Sequence, residues 1–154
     1  MILLKENKIK QRQVWKLDNC IQKRWYSRNI DWLEDHISIL DNIFPNYVIS
    51  YGKDINFVYA NFEILPGTVA NVIPHTEDFV LQIYDFCIEN IKSTYPYAHG
   101  DWVLSNMIVN DKNVIKMCDW DNIGIYSKEE ILNKLHSDLS SAFGTIFNNI
   151  RNKL

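Results

Sequence analysis

Apolar residues recur along this chain with two different periods, and the switches between them mark its elements. The first seventeen residues read as two strands. Ile2-Leu3-Leu4 is apolar, Glu6-Asn7-Lys8 can turn, and Ile9 to Leu17 alternates loosely. From Asp31 the period lengthens. Trp32, Leu33, His36, Ile37 and Leu40 fall on one helical face, with Asp31 placed to cap and Glu34 three residues on, as a capping box asks. Pro45-Asn46 ends that helix. Tyr47 to Tyr51 is a strand, Gly52-Lys53-Asp54 a turn, and Ile55 to Leu65 a longer strand broken by Pro66-Gly67.

The second half opens on another helix. Thr76 can cap it, and Phe79, Val80, Ile83, Tyr84, Cys87 and Ile91 trace its buried stripe until Tyr95-Pro96. Met107 to Val109 and Val114 to Met117 flank Asp111-Lys112-Asn113 as a hairpin. Ser127, with Glu130 three residues on, caps a last helix whose apolar seam runs from Ile131 to Ile150, with Gly144 able to bend it. Helices mixed with antiparallel strand pairs predict an α+β fold rather than a doubly wound sheet. Four strands are expected before Pro66.

Composition narrows the class. In 154 residues, 47% are hydrophobic and 13% aromatic, enough to bury a core in one domain or in two small lobes. A net charge of −3 gives no reason to expect nucleic-acid binding. Cys20, Cys87 and Cys118 are widely spaced and odd in number, which points to a reducing compartment and no disulfide framework. Apolar runs fall short of the roughly 20 residues a membrane span needs, and Met1 to Lys5 is too short for a signal peptide. A cytoplasmic protein without a membrane partner is expected. The aromatic group Trp25, Tyr26 and Trp32 has no basic stripe around it, so core packing is the expected use.

The densest chemistry lies in His99-Gly100-Asp101-Trp102-Val103-Leu104-Ser105-Asn106 and, beyond the hairpin, Cys118-Asp119-Trp120-Asp121. A hairpin returns its ends to one place, so Asn106 and Asp119 can face each other. Two such oxygen donors suit Mg²⁺, which completes its shell with water and phosphate. Asp101 has no strong cation near it in sequence and could take a proton from a hydroxyl as phosphate is transferred to it. The plain alternative is a loop acid, a turn amide and a strand-end cap. Residue type, order and spacing together weigh against it.

The pattern His-Gly-Asp-x-x-x-x-Asn followed by Asp-Trp-Asp resembles the catalytic and metal-binding segments of the aminoglycoside phosphotransferase and choline kinase family, a branch of the protein-kinase-like fold. Val14-Trp15-Lys16-Leu17 is similar to that family's strand with the phosphate-binding lysine, and the helix from Asp31 stands where the family has its pairing glutamate. Phe57 to Gly67 resembles the strand and hinge joining the lobes, and Asp138-Leu139 resembles the family's buried Asp-Leu pair. The resemblance implies a two-lobe fold, with a reduced antiparallel N-lobe sheet over residues 1–65 and a shortened helical C-lobe over 66–154.

It also implies an ATP- and Mg²⁺-dependent phosphotransferase acting on a hydroxyl of a sugar, an amino sugar or a choline-like alcohol. Asp101 would be the catalytic base, and Asn106 and Asp119 would hold Mg²⁺. Lys16, held by Glu34, would contact phosphate, and backbone groups at Glu63, Ile64 and Leu65 would bind adenine. His99 would shape the loop, Trp120 would pack beneath the metal segment, and Asp138 would accept hydrogen bonds from the catalytic loop. No glycine precedes Gly52, so a glycine-rich phosphate loop is missing, and the chain stops soon after Asp138. Those departures favour the alternative of a pseudokinase, a nucleotide-binding scaffold without turnover. In so short a chain the last turns of the Ile131–Ile150 seam are expected to lie exposed and to favour a homodimer.

Overall fold

In the computed structural model, which describes residues 1–153, the chain divides into two units, Met1–Ile64 and the remainder from Leu65. The first holds β1 (Ile2–Asn7), β2 (Arg12–Lys16), β3 (Ile21–Trp25), α1 (Ile30–Ile43), β4 (Val48–Lys53) and β5 (Val58–Phe62). Its five strands form one antiparallel sheet in the order β1-β2-β3-β5-β4. The expectation of four strands is corrected by β3, which brings this small antiparallel sheet to five. The face of β3 toward α1 reads Ile21, Lys23, Trp25, and a lysine at the middle inward position hides the alternation that marks a strand.

Trp25 packs edge-on against Trp32 at 5.5 Å and reaches His36 at 6.4 Å, which seats α1 on the sheet. Leu33, His36, Ile37 and Leu40 form the buried stripe of α1 at helical spacing. Asn29, not Asp31, caps that helix, its Oδ1 accepting from the Trp32 amide at 2.9 Å. Asp31 instead lies in the first turn, where a carboxylate complements the positive end of the helix. The capping box expected at Glu34 is therefore not formed, and Glu34 is exposed. The turn expected at 52–54 sits two residues later, closed by Asp54 N donating to Phe57 O at 2.8 Å, so β5 is shorter than the strand read from Ile55.

The second unit holds β6 (Thr68–Val69), α2 (Glu77–Thr94), β7 (Tyr97–Ala98), β8 (Met107–Val109), β9 (Ile115–Met117), β10 (Gly124–Ile125), α3 (Lys128–Phe143) and α4 (Thr145–Lys153). Strands β6, β8 and β9 make a small antiparallel sheet, and β10 pairs with β7. Thr76 caps α2 through the Phe79 amide, and Ser127 and Glu130 form a complete capping box on α3. Gly144, at φ +58°, ends α3, so the predicted seam breaks into two helices. Ile131, Leu135, Leu139, Phe143, Phe147 and Ile150 from those helices pack with Phe79, Val80, Ile83 and Cys87 from α2 in the buried core. Each such apolar side chain contributes about 1.5–3 kcal/mol when fully buried. Of the last turns of the seam, Phe147 and Ile150 are buried within the unit and Ile146 is exposed. Burial, helped by the Asp138 carboxylate, pushes the Cys87 thiol up, and it stays an unreactive core group.

His136, between Tyr84 and Phe147, has its Nε2 buried without a partner among the described residues. Desolvation, and then the nearby Arg151, lower its pKa from 6.5. The fold therefore holds the ring neutral, and stability present above pH 6.5 declines as pH falls through that value toward the lower folded one. The melting temperature of the protein should drop between pH 7.5 and 5. In His136→Phe that drop should be smaller, as read by thermal denaturation across the range. An identical pH dependence in the two proteins would contradict this account. Among the described residues no helix is long and apolar enough to cross a membrane.

Candidate active site

Gly100 sets the turn out of β7. Its φ is +85°, and a Cβ there would lie 2.8 Å from the Asn122 carbonyl oxygen. Glycine alone takes that conformation cheaply at such close approach. Around this turn His99 makes the first fastening. It is fully buried, its Nδ1 accepts from the Asp101 amide at 3.2 Å, and its Nε2 lies 2.8 Å from the Cys118 carbonyl. An amide N–H only donates, so Nδ1 is the acceptor and Nε2–H donates to Cys118. The imidazole is held neutral, as a strut between the start of the loop and the strand end before Asp119. Trp120 packs on its ring at 4.6 Å and donates from Nε1 to the Met117 carbonyl at 3.0 Å.

The β8–β9 hairpin brings the second acidic segment back. Met107 pairs with Met117, and beyond that pair the Cys118 amide donates to the Asn106 carbonyl at 2.8 Å. Asp119 follows at once, in a left-handed conformation with φ 59° and ψ 63°. Such a backbone state in a residue other than glycine costs on the order of 1 kcal/mol or more and gathers at functional sites. Asn106 is 5% exposed. Its Nδ2 donates to the Asp101 Oδ2 at 3.2 Å and reaches the Asp101 carbonyl at 3.3 Å. Its Oδ1 accepts no hydrogen bond from the described residues, a free amide oxygen on a buried side chain.

The other side of the loop is held by α3. Asp138 Oδ2 accepts from the Trp102 amide at 2.9 Å, which is the tether the sequence led us to expect. Asp138 Oδ1 binds Lys134 Nζ at 2.6 Å, and the same ammonium stands 4.0 Å from Asp101 Oδ1. No cation lies near Asp101 in sequence, and the fold supplies one from a helix distant along the chain. Asp101 itself keeps 30% of its side chain exposed.

The donors fit a hard divalent cation. The free oxygen of Asn106 and the half-buried carboxylate of Asp119 are the oxygen types Mg²⁺ takes, and that ion needs few protein ligands. Among the described residues no group of three or more His, Cys, Asp or Glu gathers to hold a metal, so the set on offer is this mixed one.

The residues expected to grip nucleotide are placed less favourably. Lys16 ends β2 and is exposed, Glu34 is exposed on α1, and among the described residues no ion pair joins them. Every acid of α1 is exposed. Glu63 is exposed, and its amide already donates to the Tyr47 carbonyl at 2.9 Å, while Ile64 and Leu65 lie in irregular backbone. A lysine that sequence reasoning missed stands out. Lys23 is 6% exposed on β3, opposite Val14 and Ala60, with its ammonium 5.8 Å from the Phe62 ring centroid. Lysine is rarely buried unless a specific partner holds it. The signal available in the sequence was its place midway between Ile21 and Trp25, two residues whose spacing puts all three on one strand face.

No family model matches the chain, and no curated relative matches it. Among solved structures, the crystal structure of monomeric WbdD is similar to 87% of this chain with a TM-score of 0.59 and 13% identity. The likeness is one of fold. The chain spans 37% of that structure's chain.

Proposed function

We propose that this chain is an ATP- and Mg²⁺-dependent phosphotransferase acting on a hydroxyl of a small molecule. In this reading its fold is of the protein-kinase-like type, akin to the aminoglycoside phosphotransferase and choline kinase family. The observation that carries the reading is the hold on Asp101. Its backbone is fastened through His99, its Oδ2 by Asn106, and the adjacent Trp102 by Asp138, while part of the carboxylate stays open. A group so held is preorganised to receive a proton without being sealed away. The fold likeness to the WbdD structure adds support of a coarser kind.

In the proposed reaction the acceptor oxygen bonds to the γ-phosphorus and its proton passes to Asp101. The bond from that phosphorus to the bridging oxygen breaks, and ADP leaves. Asn106 and Asp119 would hold Mg²⁺, which when bound neutralises charge on the phosphate oxygens. In the first unit Lys16 would contact phosphate, and the buried Lys23 is a second lysine to test. Glu34 keeps no assigned partner. The Glu63 carbonyl and the backbone of Ile64 and Leu65 are offered to adenine. Acceptors to try are sugars, amino sugars and choline-like alcohols.

ADP release from ATP, measured with that panel, should require Mg²⁺ and vanish with a chelator. No ADP above the level of an Asp101→Ala control, with any acceptor, would overturn the proposal. The pseudokinase is the second reading, favoured by two features: α1 buries His36 rather than an acid, and no glycine lies in the β1–β2 turn. It predicts Mg²⁺-dependent ATP binding with no ADP formed.

A further inference from the structure

Lys134 is placed oddly for a surface lysine. It precedes Asp138 by four residues on α3, the less favourable order for a helix-stabilising pair. At 48% side-chain exposure a lone ion pair contributes little to stability. Helix support therefore does not account for the contact. The geometry around it does. The carboxylate that grips Lys134 at 2.6 Å is the one that tethers the Trp102 amide, so ammonium and loop share one anchor. From that anchor Nζ stands 4.0 Å from Asp101 Oδ1, while Asn106 Nδ2 holds Asp101 Oδ2 at 3.2 Å on the other side. The two oxygens of one carboxylate are addressed from two different elements. Lys134 also lines a cavity of about 380 Å³ with Gly100, Trp102, Tyr126 and Glu130, the residues flanking Asp101 in sequence among them. An ammonium has three donors. Asp138 takes one, and the others remain for Asp101 and for an occupant of the cavity.

We propose that Lys134 is a positioning residue for Asp101, an anchored cation that fixes which carboxylate oxygen is presented to the acceptor hydroxyl. The inference rests on the phosphotransfer reading. It requires that Lys134 act on turnover and not on nucleotide binding, because the contact is with the proton-accepting group. Misplacing a reacting group by about an ångström can lower a rate on the order of a hundredfold.

The test compares wild type, Lys134→Met and Lys134→Arg, with Mg-ATP as the probe. We expect Lys134→Met to lower kcat for ADP release about tenfold or more. KM for Mg-ATP and its calorimetric Kd should stay unchanged, and Lys134→Arg should recover most of the rate. Lys134→Gln repeats the measurement should the methionine variant fail to fold. An active wild type with equally active Met and Gln variants overturns this inference alone. A fall in Mg-ATP affinity that matches the fall in rate, or no recovery with arginine, overturns it as well. A wild type that releases no more ADP than Asp101→Ala overturns the phosphotransfer reading, and this inference with it.

Discussion

Asp101→Ala should nearly abolish ADP release while leaving Mg-ATP binding within a few-fold, and Asp119→Ala should remove the Mg²⁺-dependent part of that binding. The contrast follows from the two positions. Asp101 is held by the His99 ring, by Asn106 and near Lys134, and keeps an open edge, as a proton acceptor requires. Loss of a positioned general base lowers rates by about 10²–10⁴-fold. Asp119 follows β9 by two residues, in a left-handed conformation next to the Cys118–Asn106 backbone bond, and in the proposed reading its carboxylate and the Asn106 oxygen would share the cation. Without it a single amide oxygen remains, too weak a donor to retain Mg²⁺. Calorimetry of each variant with ATP, with and without Mg²⁺, reads the binding half, and ADP release reads the other. Equal loss of binding in both variants would contradict these roles.

Asp138→Leu should cost about 2–3 kcal/mol of stability, chiefly because it takes the charged acceptor away from the buried Trp102 amide. The Trp102 amide would lose its acceptor beside a side chain that is wholly buried, and Lys134 would lose its short ion pair. A buried donor left unsatisfied costs about 1–3 kcal/mol by itself, and hydrogen bonds to charged groups lie at the strong end. In a chain of this size the melting temperature should fall by roughly 5–10 °C. Asp138→Asn keeps an acceptor for the Trp102 amide and should fall by less than half as much. Because Trp102 follows Asp101, ADP release should decline in both variants, most in the leucine one. A leucine variant that melts with wild type would mean that α3 does not secure the loop.

The elements that could be read from the sequence have local causes. The Ser127–Glu130 capping box, the Thr76 cap and the turn between β8 and β9 each close within a few residues, so residue identity at fixed spacing is enough to see them. The same holds for His99-Gly100-Asp101. The need for glycine at φ +85° and the return of an imidazole to the next residues but one are events of three positions. Where the reading went astray, a competing partner was the cause. Asn29 holds the cap assigned to Asp31 because its Oδ1 accepts from the Trp32 amide, and Glu34 lost its capping role with it. The strand β3 went unread because Lys23, a polar residue midway between Ile21 and Trp25, conceals its alternation.

What this chain's sequence determined unaided is the chemistry on offer: the acids and the amide, their order, and the hairpin that returns one to the other. Short-range hydrogen bonds and backbone sterics act within a few residues and leave their mark in the text itself. Only the tertiary structure decided that β3 completes a five-stranded sheet, that Lys23 is buried, and that an ammonium from α3 stands beside Asp101. Each of those depends on neighbours contributed from far along the chain. A lysine is tolerated inside, or placed beside an acid, according to what the folded surroundings provide and not according to its own sequence context.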